Sequence, residues 1–311
     1  MKINNKTFFL LISLFSILFS IITSTEVKSA LTKSSVKQDQ VLIKANWFPT
    51  NFQAIDLGVG AEGDVVAVGT DGRVYNYNFS ANSYTVIDGD YEMININRVD
   101  VDDQGTPYIV GSCGGVFYLS CFNNWVQLPG CGIDIGVGRG QEVWKIGCDS
   151  KGLLRQDYGI WKLFCKCEGS FDCERGCIRF RPSKYINNPN GDKRKCYWNR
   201  IEGSGTRIDV HPNGNPYILN NRGRIFKYDS ETFNLVGLNG VLARDITICN
   251  EGLLYAVGKT DNRIYRALDE ENGSWTALQG CANEISCAPY AQPWIVGCDT
   301  NIGTTSKLQF N

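Results

Sequence analysis

The chain has 311 residues, with 31 Lys and Arg against 32 Asp and Glu. So even a balance excludes the strongly basic surface that would draw the chain to nucleic acid or an anionic membrane. With 33 glycines and only two methionines, the composition is that of a turn-rich chain of short strands.

Lys2 and Lys6 precede an apolar run from Phe8 to Ile22, followed by small and polar residues through Ala30. This pattern predicts a signal peptide over 1–30, cleaved between 24 and 30. The apolar run falls short of the roughly 20 residues needed to span a bilayer, which sets a cleaved signal above an uncleaved anchor. No later run is long enough to span, so the mature chain is expected to be secreted or held in a secretory compartment. Residues 31–40 are polar and are expected to be flexible.

From 41 to 311 the chain repeats. The clearest unit runs from Trp125 to Leu154, with short apolar runs bounded by Gly or Asp, the pattern of antiparallel strands joined by tight turns. Equivalent starts fall at Trp47, Tyr84, Trp198, Leu235 and Trp275, at intervals of 37, 41, 73, 37 and 40 residues. The long interval carries an insertion at about 159–197. Five positions into the unit stand Gly89, Gly130, Gly203, Gly240 and Gly280. An acid follows in every copy, counted as Asp56, Asp100, Asp134, Asp209, Asp245 and Glu284. Then come Val66, Tyr108, Trp144, Tyr217, Tyr255 and Trp294, and the strand ends at a glycine in five copies. A period near 40 over six copies predicts an all-β array of sheets.

The order W-x-x-L-P-G, D-I-x-V-G, V-W-x-I-G, best preserved in the third and sixth copies, resembles the tectonin repeat of the tachylectin-type and fish-egg lectins. The resemblance covers Trp47 to Ile302 and implies a six-bladed β-propeller. It also implies recognition of glycans, including microbial surface sugars, and no cofactor. If each unit begins with its Trp-bearing strand, Val41 to Trp47 must pair with the end of the last unit near Leu308 to Phe310. The N- and C-terminal strands would then close the ring and cover a sheet edge.

Two cysteine pairs recur at one spacing in different copies, Cys131 with Cys148 and Cys281 with Cys298. When Val137 faces Val143, Cys131 and Cys148 fall nearly opposite each other, so both pairs are expected to be disulfides. Cys113 is expected to pair with Cys121, and Cys249 and Cys287, on adjacent inner strands, have the option of pairing with each other. The insertion holds Cys165, Cys167, Cys173, Cys177 and Cys196. Their spacing is not that of a zinc site, and an oxidising compartment favours a disulfide-stapled loop.

Catalysis finds little support here. The single histidine, His211, sits in a turn without partners for a triad. A carboxylate pair would be expected to break a symmetry that the counted acids keep. Their expected role is structural, as hydrogen-bond acceptors at an equivalent place in each unit. Asp100, Asp102 and Asp103 before Gly105 lack the later bidentate Glu of a calcium loop. No enzyme, metal or cofactor is therefore expected. The reading is a multivalent lectin for glycans or glycoconjugates. Its candidate ligand residues in loops between blades are Arg139, Glu142, Asn213, Asn215, Asn283 and Tyr290, with Trp144 and Trp294 nearby. Aromatics recurring at one strand position also suit packing between blades. The alternative is a secreted scaffold whose cysteine-rich insertion contacts another protein. Asn78 and Asn272 fit the N-glycosylation pattern.

Overall fold

The computed structural model describes residues 43–87, 95–120, 123–148, 158–167, 194–229, 234–249, 251–269, 273–288, 292–298 and 304–309. The expected signal peptide and the segment 31–40 lie outside them. No helix among the described residues is long and apolar enough to cross a membrane.

The fold is all-β. The strands are β1 (Asn46–Val59), β2 (Val65–Gly69), β3 (Val74–Asn78), β4 (Ser83–Val86), β5 (Ile96–Val101), β6 (Pro107–Gly111), β7 (Gly115–Leu119) and β8 (Trp125–Val137). They continue with β9 (Val143–Gly147), β10 (Tyr158–Cys167), β11 (Arg194–Gly205), β12 (Arg207–Val210), β13 (Pro216–Leu219), β14 (Ile225–Asp229) and β15 (Asn234–Gly237). The last are β16 (Ala243–Ile248), β17 (Leu254–Gly258), β18 (Arg263–Asp269), β19 (Ser274–Ala288), β20 (Gln292–Gly297) and β21 (Thr304–Gln309).

Within each sheet consecutive strands pair antiparallel as meanders, and the longest strands serve two sheets. The first part of β8 pairs with β7 through Leu119↔Trp125, whereas its second part pairs with β9 through Val137↔Val143. β19 divides in the same way between β18 and β20. β1 begins beside β21, with Trp47 opposite Leu308, and ends beside β2, with Val59 opposite Val65. A register shift precedes each inner part, at Ala54/Asp56, Gly132/Asp134 and Ala282/Glu284. These bulges turn the chain from the outer edge of one sheet into the inner strand of the next.

The repeating Trp and Gly are two halves of one contact. The indole N–H of Trp275 donates to Asn239 O at 3.1 Å, that of Trp198 to Pro129 O at 2.7 Å, and that of Trp47 to Gln279 O at 2.7 Å. The carbonyls precede Gly240, Gly130 and Gly280, whose φ values are 114°, 72° and 112°. A Cβ on Gly240 would stand 2.1 Å from the Trp275 indole nitrogen, so glycine serves there both the backbone and the close approach.

The core is divided among the sheets. Val66, Val68 and Val74 pack on Ile96, Val99 and Val101; Tyr108 and Val110 pack on Ile135 and Val137. Trp144 and Ile146 meet Ile208 and Val210, and Tyr217 and Leu219 meet Ile246 and Ile248. Tyr255 and Val257 meet Ile285, and Trp294 and Val296 meet Leu57 and Val59. The recurring aromatic strand is therefore an inter-sheet packing element. Trp144 and Trp294, read from the sequence as near the ligand, are only 2% and 1% exposed; their size fills the wedge between sheets.

The two ends of the expected insertion carry strands. Tyr158–Cys167 and Arg194–Gly205 are strands paired with each other, and the first also pairs with β9, with Ile160 buried opposite Ile146. The segment 168–193 lies outside the described residues. Among the described residues four disulfides join Cys131–Cys148, Cys281–Cys298, Cys249–Cys287 and Cys165–Cys196, as suits an oxidising compartment. Cys113 is an exposed thiol, and its expected partner Cys121 lies outside the described residues.

Candidate functional site

The innermost strand of each sheet carries the polar residues nearest the centre, and their register differs from the count made in the sequence. Measured against the partner strand, Asp56, Asp134, Asp245 and Glu284 stand opposite Val68, Ile146, Val257 and Val296. The residues at the same level on β5 and β12 are Arg98, opposite Val110, and Arg207, opposite Leu219. Asp100 and Asp209 sit one level further along. The acids are thus not six copies of one position.

Two levels of acceptors alternate between strands. Asp56, Asp134 and Asp245 accept the backbone N–H of Val99, Ile208 and Ile285 on the next inner strand, at 2.7, 2.8 and 2.7 Å. From the other three strands, Asp100, Asp209 and Ser286 accept the N–H of Val137, Ile248 and Val59, at 2.6, 2.7 and 3.0 Å. Five of the six acids thus accept backbone N–H groups as expected, but at two levels rather than at one equivalent place in each unit. At the centre, Glu284 lies 3.3 Å from the Arg98 guanidinium and 3.7 Å from that of Arg207. Asp56 and Asp134 lie 3.5 and 3.6 Å from Arg98.

Burial dominates the ionisation of the inner aspartates. It pushes the Asp56 carboxyl up to about 8 against the pull of Arg98, and that of Asp134 up to about 6 against Arg207 and Arg98. Burial, and then the facing Asp209, hold Asp100 well above the usual carboxylate range. Asp100, Asp103, Asp209, Thr247, Ser286 and Arg139 line a narrow pocket at this end of the inner strands, with a cavity of about 30 Å³.

A larger cavity, about 340 Å³, opens between the sheet β12–β15 and the sheet containing β16–β18. One wall is the β12–β13 turn, with His211, Asn213 and Asn215, backed by Tyr217 and Lys227. The other is the β16–β17 turn, Gly252 to Leu254, with Ala267 and Leu268. The first turn is closed by Gly214 N donating to His211 O at 2.8 Å, and the second by Gly252 N donating to Cys249 O at 2.9 Å. Both glycines have positive φ, 89° and 80°. Asn213 N–H donates to His211 Nδ1 at 3.1 Å, which leaves Nε2 as the donor of the neutral ring, facing the Gly252 turn. Asn213 Oδ1 accepts from Asn215 N–H at 3.0 Å, so its amide nitrogen is a second donor. Leu268 is 60% exposed at the rim.

The structure separates the other sequence candidates. Asn213 and Asn215 share the larger cavity. Arg139 is exposed at the narrow pocket, Glu142 is paired with Lys162 Nζ at 2.5 Å, and Asn283 is held between Arg244 and Gly297 O. Asn78 is exposed at the end of β3, its Oδ1 accepting from Ser80 and Ala81 N–H. Tyr290 and Asn272 lie outside the described residues. His211, Lys227 and Leu268 were missed. Lys227 pairs across the sheet with Tyr217, so an offset from the recurring aromatic would have located it.

No protein-family model matches the chain, and no curated protein matches it. Solved structures do. A gluconolactonase from Xanthomonas campestris aligns with TM-score 0.55 at 13% identity, over 86% of this chain and 90% of its own. A catalytically inactive virginiamycin B lyase from Staphylococcus aureus with quinupristin aligns with TM-score 0.52 at 11% identity, over 86% and 99%. A protein of unknown function from Bacteroides thetaiotaomicron aligns with TM-score 0.54 at 12% identity, over 85% and 75%. At such identities the likeness shows the fold, a β-propeller. It also corrects the expectation that the chain is not an enzyme: two of these neighbours are enzymes, and the inner acids lack the sixfold repetition on which that expectation rested.

Proposed function

We propose that this chain is a secreted carbohydrate-binding propeller of the tectonin type, six-bladed, with its ring closed by the pairing of β1 with β21. The observation that carries the binding role is the cavity between the β12–β15 and β16–β18 sheets. It brings Asn213 and Asn215 together with His211 and Lys227 above an apolar wall of Leu253, Leu254 and Leu268. Apolar side chains cover the C–H faces of a sugar while amides and cations bond its hydroxyls. The volume lies within the roughly 300–1,000 Å³ of small-molecule sites. The expected partners are glycans or glycoconjugates, without a cofactor.

A glycan array probed with the purified, oxidised protein tests this. Selective binding that free sugar competes away, and that Asn213→Ala weakens by about tenfold, is the expected result. Absence of binding at high protein density would refute it. A second reading is catalysis at the narrow pocket, favoured by the facing Asp100 and Asp209 carboxyls and their raised proton affinity. The scaffold reading rests on the insertion, whose central part lies outside the described residues.

A further inference from the structure

Resting on the secreted reading, but not on any ligand of the larger cavity, we infer that Asn78 is an N-glycosylation site whose glycan covers the exposed Phe79 beside it. Asn78-Phe79-Ser80 is the one acceptor pattern that falls within the described residues. An oligosaccharide is attached while the chain is still folding, so a fold carries it only where the acceptor ends on the surface. The local structure meets that condition. β3 ends at Asn78 and pairs with β4 through Asn78↔Ser83, which leaves 79–82 as the hairpin loop, and every residue from Asn78 to Ser83 is exposed. The loop is held by its own bonds: Asn82 has φ 47°, and its Oδ1 accepts from Tyr77 OH at 2.5 Å.

Asn78 Oδ1 accepts from Ser80 and Ala81 N–H at 3.0 and 3.1 Å. With the carbonyl oxygen turned to the backbone, the amide nitrogen on the same carbon faces away from it. That nitrogen is the atom that reacts. It forms a bond to the anomeric carbon of a lipid-diphosphate-linked oligosaccharide, and the bond from that carbon to the diphosphate oxygen breaks. The electron pair leaves on the phosphate, and the amide gives up one proton.

Phe79 is 53% exposed although it lies against aromatic surface. Its ring meets Tyr77 edge-on at 4.8 Å and Trp294 at 6.1 Å, and Lys307 Nζ stands 5.6 Å from its centroid. Across the sheet from Lys307 is Phe48, itself 50% exposed. An apolar shelf beside an acceptor asparagine fits the first sugars of an attached chain, whose C–H faces and acetamide methyl groups cover aromatic rings. The covalent tether holds them there at high local concentration. The occupant of the shelf is therefore the glycan of Asn78 itself.

The test uses the full chain expressed in a eukaryotic cell line and recovered from the medium. The tryptic peptide 74–98 holds Asn78 as its only acceptor. Peptide-N-glycosidase in heavy-oxygen water is expected to release a glycan from it and leave a labelled aspartate at that position. Ser80→Ala and Asn78→Gln should both lose the modification, and Ser80→Thr should keep it. Removing the glycan enzymatically from the folded protein should lower the melting midpoint by about 2 °C. That difference should vanish in Phe79→Ser, which keeps the acceptor pattern. An unmodified peptide from the secreted protein would overturn the site and leave the secreted reading standing. A midpoint that shifts equally in the parent and in Phe79→Ser, or in neither, would overturn the covering of Phe79. A chain found only in the cytosol would overturn the site and the secreted reading together.

Discussion

Asp56 and Asp134 show what it takes to gather six acids and two arginines on neighbouring inner strands. Burial raises their pKa values from 3.8 to about 8 and about 6, so both hold a proton more tightly when folded than when unfolded. The stability this contributes is complete below pH 3.8 and is lost as pH rises through 6 and then 8. Thermal melts across that interval should show the midpoint falling, with a shallower fall in Asp56→Asn; a midpoint independent of pH would contradict the assignment. The sequence made four of these positions legible, Asp56, Asp134, Asp245 and Glu284. It misplaced Asp100 and Asp209 because the units were counted from the leading Trp, across outer strands of unequal length. Counting back seven residues from the inner-turn glycines Gly63, Gly105, Gly214 and Gly252 lands on Asp56, Arg98, Arg207 and Asp245. A tight turn fixes register, whereas a loop of free length does not.

The elements show the same contrast between fixed and free geometry. Disulfides Cys131–Cys148 and Cys281–Cys298 were legible because both ends lie in one hairpin of set register. Strand β10 and the first residues of β11 were not, because Lys162, Cys165 and Cys167 break the short apolar run of Ile160, Trp161, Leu163 and Phe164. The first part of β1 contributes more than its length suggests: Trp47 bonds to Gln279 O and lies opposite the fully buried Leu308. Deleting the chain up to Asn51, so that it starts at Phe52, removes that strand from β21 and exposes a sheet edge. A lower melting temperature is expected, with amide protection lost first in β20 and β21. An unchanged melt would show that this strand adds nothing to the sheet.

Across the whole molecule, the apolar core is spread over packed interfaces between successive sheets, and the polar residues gather at the inner strands and turns. That arrangement follows from the repeat: one sheet of four strands buries little on its own, and neighbours supply the rest. It leaves the turns free to vary, which is why the larger cavity arises where His211, Asn213 and Asn215 meet Gly252 and Leu268. Two of those five residues were read as candidates from the sequence, since loop Asn residues suggest hydroxyl binding; the other three depended on which turns the packing brings together. Hydrogen exchange with and without a saturating glycan from the array tests the proposed function most directly. Added protection is expected in peptides covering Asn213–Tyr217 and Gly252–Leu254, with little change elsewhere. Protection confined to peptides around Asp100 and Asp209 would contradict it and place the ligand at the narrow pocket instead.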